Sequence, residues 1–425
     1  MSIKVKLFMV YILLVFSLSY AQETMNTEYA TQCVEINIQD YKTYIRLNPP
    51  LDRLFRSGDS CFFLVKKEEL NNLTIAGIPI LSRRAIPSHG SGILKVQGDV
   101  NGRYHNYRET EQALQNLADQ YPDRASLFSI GKSIEGREIY ILKISDNVMT
   151  EEEEPNIYYV GCHHAREWIS VEVPLLFARY LLEQFDNSPD VSRAVNGAQI
   201  YILPLLNPDG LEFTIHRYRW WRKNRRYNGN YSWGVDLNRN YGFKWGYDDS
   251  GSSPDPASEV YRGPYAFSEP ETDVLQQFML ANPPSGFLTY HNYGNLIIYP
   301  WGYTNEPTPD DDELTTIAKT MSDLIYAVNG RRYEYGSGEE ALYTTNGDAD
   351  DWVYGTFGAP SYTIELPNDE YLLGAFFTSE EEIDLSFNEN LPAMLYFVNY
   401  FVTENLNQQD KYKGKQLPPQ MEMKY

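Results

Sequence analysis

The feature that most constrains this chain is an alternation of short apolar runs with helical patterns across roughly residues 104–403. Tyr107, Leu114, Leu117 and Tyr121 recur at helical spacing and stop at Pro122, which predicts a helix. Strand-like runs follow at residues 126–130 and 138–144, with the turn Ile134-Glu135-Gly136-Arg137 between them. Further apolar strands are read at residues 156–161, 199–205, 286–290 and 362–366. A long amphipathic helix is expected at 169–185 and a closing helix at 386–402. Apolar strands separated by helices must have both sheet faces covered, so one large α/β domain around a mostly buried sheet is expected.

A smaller segment precedes it. Residues 33–38 alternate like a strand, 60–65 read as another, 66–73 are helix-like, and 77–81 return to an extended pattern. That is enough for a small α+β module over residues 22–90, followed by a linker at 91–103. Residues 82–92 already have linker composition and offer Arg83-Arg84 to a protease. Residues 104–404 form the large domain, and 405–425 read as a polar, poorly ordered tail. At the start, Lys4 and Lys6 precede an apolar run over residues 7–18, then Ser19-Tyr20-Ala21. This pattern predicts a secretory signal peptide cut after Ala21, since the run is shorter than the ~20 residues of a membrane span. A secreted, extracellular protein is expected.

Charge narrows the partners. Lys and Arg number 36 against 58 Asp and Glu, a net charge of −22. Such a surface repels nucleic-acid phosphates and anionic lipid, so neither is an expected partner, and a monomer is the default. The acidic clusters at 151–154, 310–313 and 380–382 read as solvated loops or helix ends, because none has the spacing of a calcium-binding EF-hand loop. Three cysteines make a poor disulfide framework: Cys33 and Cys61 are a possible pair, and Cys162 is left as a free buried thiol. Asn72-Leu73-Thr74 and Asn230-Tyr231-Ser232 fit the N-glycosylation pattern.

The chemistry-bearing residues sit at strand ends. Gly161-Cys162-His163-His164-Ala165-Arg166-Glu167-Trp168 follows an apolar strand and opens a helix. One turn separates His164 from Glu167, so both can face one ion, and zinc accepts imidazole nitrogen and carboxylate oxygen. The spacing alone is weak, because six histidines and 58 acidic residues in 425 give roughly 0.8 chance matches. Two other strand ends strengthen it. His291 follows the run ending at Tyr290, and Glu365 interrupts the run 362–366. Open α/β sheets place their sites at such carboxyl ends, and a buried glutamate needs a partner or a task.

These pieces occur in register with others: Asn207-Pro208-Asp209-Gly210, Trp221-Arg222-Lys223, residues 234–240 (Gly-Val-Asp-Leu-Asn-Arg-Asn), residues 299–303 (Tyr-Pro-Trp-Gly-Tyr), Tyr343, Asp351-Trp352 and Glu365-Leu366. In this set the chain resembles the zinc metallocarboxypeptidases of the pancreatic A/B type over about residues 104–403. The resemblance implies a large mixed sheet flanked by helices, preceded by a small α+β inhibitory prosegment, and therefore a proenzyme that an activating protease cuts. It implies one zinc per chain held by His164, Glu167 and His291, although His163 also lies within reach of Glu167. Glu365 matches the general base and Arg222 the arginine that stabilises the oxyanion. Asn238 and Arg239 resemble the grip on a peptide's terminal carboxylate, Tyr343 the tyrosine closing over it, and Arg166 a contact further along the peptide.

Asp350, just before Asp351-Trp352, stands where B-type enzymes carry the aspartate that selects Lys or Arg ends. Gly338 also matches the B type and leaves room for a long side chain, Asp348 lies nearby, and Gly302 is shared with the A type. Mixed specificity, a zinc amidohydrolase acting on cell-wall peptides, and a silent binding module are the alternatives. The catalytic domain lacks the cysteines of digestive relatives, and Pro367 replaces an arginine that pancreatic members carry.

Overall fold

A computed structural model describes residues 32–44, 51–57, 60–65, 67–85, 101–341, 343–367, 376 and 378–413. The expected signal peptide and the last twelve residues lie outside these. The chain divides into two compact units, Met1–Lys95 and Val96–Tyr425.

The first unit contains four strands, β1 (Gln32–Asn37), β2 (Asp52–Ser57), β3 (Ser60–Val65) and β4 (Ser82–Ala85), with helices Ile38–Tyr44 and Lys67–Ile75. The strands form an antiparallel sheet in the order β2-β3-β1-β4. The connectivity is therefore β-α-β-β-α-β, a split βαβ arrangement and fuller than the β-α-β unit expected. Val34, Ile36, Phe63, Val65 and Leu73 form its core.

Two expectations are corrected here. Residues 82–85 are not linker: β4 pairs along β1, with Arg83 opposite Val34 and Arg84 opposite Cys33. The polar sequence disguised an edge strand, where charge is a common device against mispairing. Nor can Cys33 and Cys61 join without backbone movement. The register sets Cys33 opposite Leu64 and Cys61 opposite Ile36. An offset of three positions, at about 3.3 Å each, exceeds the ~7 Å Cα separation a disulfide spans.

The second unit is built on eight strands: β5 (Ala125–Lys132), β6 (Glu138–Ile144), β7 (Asn156–Gly161), β8 (Gln199–Leu203), β11 (Gly286–Asn292), β12 (Leu296–Tyr299), β13 (Glu334–Ser337) and β14 (Ser361–Leu366). A small hairpin, β9 (Tyr227–Gly229) with β10 (Ser232–Trp233), lies outside this sheet. The sheet order is β13-β12-β14-β11-β7-β8-β6-β5. Its centre, β14-β11-β7-β8, is parallel, while β5, β6 and the β12–β14 pairing are antiparallel. The sheet is mixed, as the resemblance implied.

Alternation along the central strands feeds two layers. Tyr158, Val160, Tyr201, Leu203 and Phe287 share a cluster with Leu275 and Met279 of the helix Pro270–Ala281 and with Trp352 and Val353 of the helix Ala349–Phe357. On the other face, the Tyr159 hydroxyl donates to the Met394 carbonyl, and that of Tyr362 to Leu314. These tie the sheet to the helices Glu380–Lys413 and Asp311–Asn329. The closing helix thus runs past residue 402, and 405–413 are helical rather than tail.

Because four central strands run parallel, their carboxyl ends lie along one edge. Gly161, Leu203, Asn292 and Leu366 end these strands there, so the loops after them converge.

Candidate metal centre and carboxylate-binding site

At the end of β7 the chain turns sharply. A Cβ on Gly161 would collide with the Ser170 carbonyl oxygen, so only glycine fits. Cys162 follows with φ +57°, a conformation that costs a non-glycine residue energy and tends to mark functional turns. Its backbone N–H donates to Ser170 Oγ at 3.1 Å. The thiol is fully buried and free, as expected, and burial pushes its pKa well up. This turn aims His163 and His164 in different directions.

His164, Glu167 and His291 converge. His164 Nδ1 lies 2.9 Å from Glu167 Oε1, His291 Nδ1 3.0 Å from Glu167 Oε2, and the two Nδ1 atoms 3.0 Å from each other. All three residues are buried. Two imidazole nitrogens facing each other over a carboxylate gain little as a hydrogen-bonded set, but they match the nitrogen–oxygen donor set of a catalytic zinc site. Burial alone would raise the Glu167 carboxyl, yet the charges and hydrogen bonds of His164 and His291 outweigh it and hold the group far below the usual range. His291 Nε2 is buried without a hydrogen-bond partner among the described residues.

His163 does not join them. Its Nε2 lies 2.7 Å from the Tyr241 hydroxyl and its Nδ1 3.1 Å from Thr289 Oγ1, so both ring nitrogens are engaged elsewhere. Burial lowers its pKa well below the ordinary value, reinforced by His291 and His164.

The sequence reading assigned no role to Asp236, which organises the site. This fully buried carboxylate contacts His164 Nε2 at 3.1 Å and accepts from Arg222 Nε and Nη2 at 3.1 and 2.9 Å. It also accepts from the Asn238 backbone at 3.0 Å, capping the 3-10 turn Leu237–Arg239. A carboxylate behind a ligand imidazole fixes its tautomer and orientation. Burial opposes its ionisation, but Arg222 and His164 hold it well below the ordinary carboxylate range. The available signal was a carboxylate two positions before Asn238, but its contact with His164 spans 72 residues.

Arg222 Nη1 lies 4.0 Å from Glu167 Oε1. Glu365 occupies the β14 position opposite His291 on β11. Asn238 Oδ1 accepts from the Ala349 backbone at 3.0 Å. Arg239 donates to the carbonyls of Gly251 and Asn238 at 2.9 and 2.6 Å, and its Nη2 lies 3.3 Å from the Tyr343 hydroxyl. Arg166 is 1% exposed, with its guanidinium 4.0 Å over the Phe376 ring. Asp350 is buried; its Oδ2 accepts from Thr363 Oγ1 at 2.6 Å, while Oδ1 has no hydrogen-bond partner among the described residues. Burial pushes its pKa well up, with Asp348 adding to the shift. At Gly338 a Cβ would lie 2.7 Å from Gly302 Cα, so the two backbones approach closely there.

Sequence comparison decides the family. A profile described as zinc carboxypeptidase matches residues 110–393. The chain belongs to the zinc carboxypeptidases. It is an enzyme of the peptide-hydrolase class, zinc-dependent as a family. Carboxypeptidase B of Astacus astacus is 37% identical over 269 residues, 62% of this chain and 86% of that protein. Carboxypeptidase A1 of Rattus norvegicus is 31% identical over 301 residues, 70% of each chain. The solved carboxypeptidase A of Helicoverpa armigera matches this fold with a TM-score of 0.71 at 26% identity, covering 90% of this chain and 98% of that one. A carboxypeptidase acts at peptide C-termini.

Proposed function

We propose that this zinc carboxypeptidase is secreted as a proenzyme and removes single C-terminal residues, preferring Lys and Arg. The observation that carries the preference is Asp350, a buried carboxylate one of whose oxygens has no hydrogen-bond partner among the described residues. A cationic side chain would supply the missing partner, whereas an apolar one would leave it unmet. The similarity to carboxypeptidase B proteins supports this reading.

In this reading His164, Glu167 and His291 hold zinc. What zinc supplies at such a triad is Lewis acidity for amide hydrolysis. Glu365 takes a proton from the attacking water as oxygen adds to the scissile carbonyl carbon, then gives it to the departing amine as the C–N bond breaks. Arg222, held through Asp236, donates to the oxygen on which negative charge develops. Arg239 and Asn238 bind the substrate's free carboxylate and Tyr343 covers it, which restricts cleavage to the last residue. Arg166 contacts the residues preceding it.

The lysine-led apolar leader supports export, and none of the described helices is long and apolar enough to cross a membrane. Residues 22–90 serve as the prosegment. Activation falls beyond β4, at Lys95 or Arg103, because Arg83 and Arg84 are paired in a sheet. Limited trypsin digestion with N-terminal sequencing tests this, and activity should rise with the cut.

The deciding experiment measures kcat/KM for blocked peptides ending in Arg, Lys, Phe and Leu, each with a free and an amidated C-terminus. Basic ends with a free carboxylate should lead. Equal rates on amidated peptides would favour the amidohydrolase, and Phe or Leu ahead of Arg would refute the basic preference.

A further inference from the structure

Arg222 and Arg239 are each followed within two residues by a fully buried asparagine, Asn224 and Asn240. Both side chains bond to the start of the helix Pro270–Ala281. Asn224 Nδ2 donates to Glu269 Oε2 at 2.7 Å and to Glu271 Oε2 at 3.1 Å. Its Oδ1 accepts from the Val235 N–H at 2.8 Å, and its own N–H donates to the Val235 carbonyl at 3.0 Å. Val235 precedes Asp236, whose carboxylate accepts from Arg222 Nε and Nη2. The segments bearing Arg222 and Asp236 are thus clamped together, and one amide ties the clamp to the helix.

Asn240 directly follows Arg239 and closes the 3-10 turn, its N–H donating to the Leu237 carbonyl at 3.2 Å. Its Oδ1 accepts from the Glu269 N–H at 3.2 Å and from Thr272 Oγ1 at 2.7 Å, and its Nδ2 donates to Ser268 Oγ at 2.9 Å. Glu269, Glu271 and Thr272 are fully buried. Arg226 Nη1 donates to Glu269 Oε1 and the Ile134 N–H to Glu271 Oε1, both at 3.0 Å, so neither carboxylate depends on Asn224 alone. The partial positive charge at a helix N-terminus also favours carboxylates there. A buried polar network whose members are satisfied is rigid.

We infer that Asn224 and Asn240 are positioning residues, through which the first turn of the helix Pro270–Ala281 aims Arg222 and Arg239 at the substrate. The inference rests on the roles proposed above for the two arginines, oxyanion stabilisation for Arg222 and carboxylate binding for Arg239. Those roles give the two asparagines opposite kinetic signatures. An interaction made only in the transition state appears in kcat, whereas one made equally in ground and transition states appears in KM. Asn224 therefore acts on kcat and Asn240 on KM, although both bond to one helix end. Loss of general stability would not separate the two constants in this way.

The test measures kcat and KM on one blocked peptide with a free C-terminus, with rates expressed per zinc-loaded chain. Asn224→Ala should lower kcat about tenfold or more and move KM less than about twofold. Asn240→Ala should raise KM about tenfold or more and move kcat less than about twofold. Should either variant fail to fold, Glu271→Gln and Thr272→Val decide, since each removes one bond to Asn224 or Asn240 and should move the same constant in the same direction. Arg222→Ala and Arg239→Ala serve as references. If they show the expected split but the helix-side and asparagine variants leave kinetics unchanged, or lower kcat alike with KM unmoved, the inference is overturned and the arginine roles stand. If the references show no split, the arginine roles fall and the inference falls with them.

Discussion

His291 on β11 and Glu365 on β14 occupy paired positions of two adjacent parallel strands. The same register sets Tyr290 beside Gly161, the last residue of β7 before the His163-His164 turn. One hydrogen-bonded ladder therefore fixes the proposed base, a proposed ligand and the turn bearing the other two. Rigid strands hold such a constellation more tightly than loops can.

Glu365→Gln keeps the shape and removes the base. Zinc content and inhibitor affinity should be retained, while kcat falls by about 10²–10⁴-fold. Metal analysis and steady-state kinetics check this; loss of zinc with the residual metal-loaded fraction fully active would make Glu365 a structural residue.

Asp236→Asn tests the residue that sequence reasoning passed over. The amide weakens the hold on His164 Nε2 and Arg222 together. Zinc affinity should drop about 10–100-fold, and kcat should fall even at saturating zinc because Arg222 is no longer fixed. Competition with a zinc-binding dye measures the first effect. Unchanged affinity would mean that His164 is oriented by other contacts.

Much of this was legible in the chain, and the exceptions have physical causes. Apolar strand runs such as 156–161 were read to their boundaries because burial on both faces leaves no ambiguity. The four-residue strands Leu296–Tyr299 and Glu334–Ser337 carry too few alternations to register as a pattern. Ser82–Ala85 failed for another reason: edge strands tolerate charge, so composition mimicked a linker. His164 and His291 stand next to apolar runs, where a polar residue is conspicuous, and the structure brings them together with Glu167. Asp236 sits in a turn where aspartate is unremarkable as a cap, and only the fold reveals its reach to His164.

Asp350 should make specificity depend on pH. Burial, then Asp348, raises its pKa, so lowering the pH protonates it and removes the charge a basic side chain needs. For Arg-ended peptides kcat/KM should rise with pH as Asp350 ionises. The ratio of Arg to Phe rates isolates this from titrations common to both substrates. In Asp350→Asn that ratio should fall at least tenfold and lose its pH dependence; a ratio that stays pH-dependent in the variant would assign the titration elsewhere.

The same residue should cost stability. A carboxyl whose folded pKa lies above its unfolded value contributes stability at low pH that is lost as pH rises through the folded pKa. Asp350 is in that class, so without substrate Asp350→Asn should raise Tm at pH 8 and raise it progressively less as the pH falls towards the ordinary carboxylate value. A lower Tm at pH 8 would show that the Thr363 bond outweighs the buried charge.

Arg331 offers the opposite case, an ion pair whose loss should unfold rather than stabilise. Its Nη1 reaches Glu382 Oε1 at 2.6 Å and Glu389 Oε1 at 3.0 Å, joining the end of the helix Asp311–Asn329 to the closing helix. Glu389 is fully buried and also accepts from the Tyr333 hydroxyl at 2.7 Å. Removing the guanidinium leaves a buried carboxylate with neutral donors only. Breaking a buried pair costs about 3–5 kcal/mol, and the partial exposure of Arg331 reduces that to about 2–4. Arg331→Ala should therefore lower stability by that amount in urea unfolding, while Arg331→Ala with Glu389→Gln should recover part of it. Equal losses in the single and double variants would show that Arg331 acts by packing, not by charge.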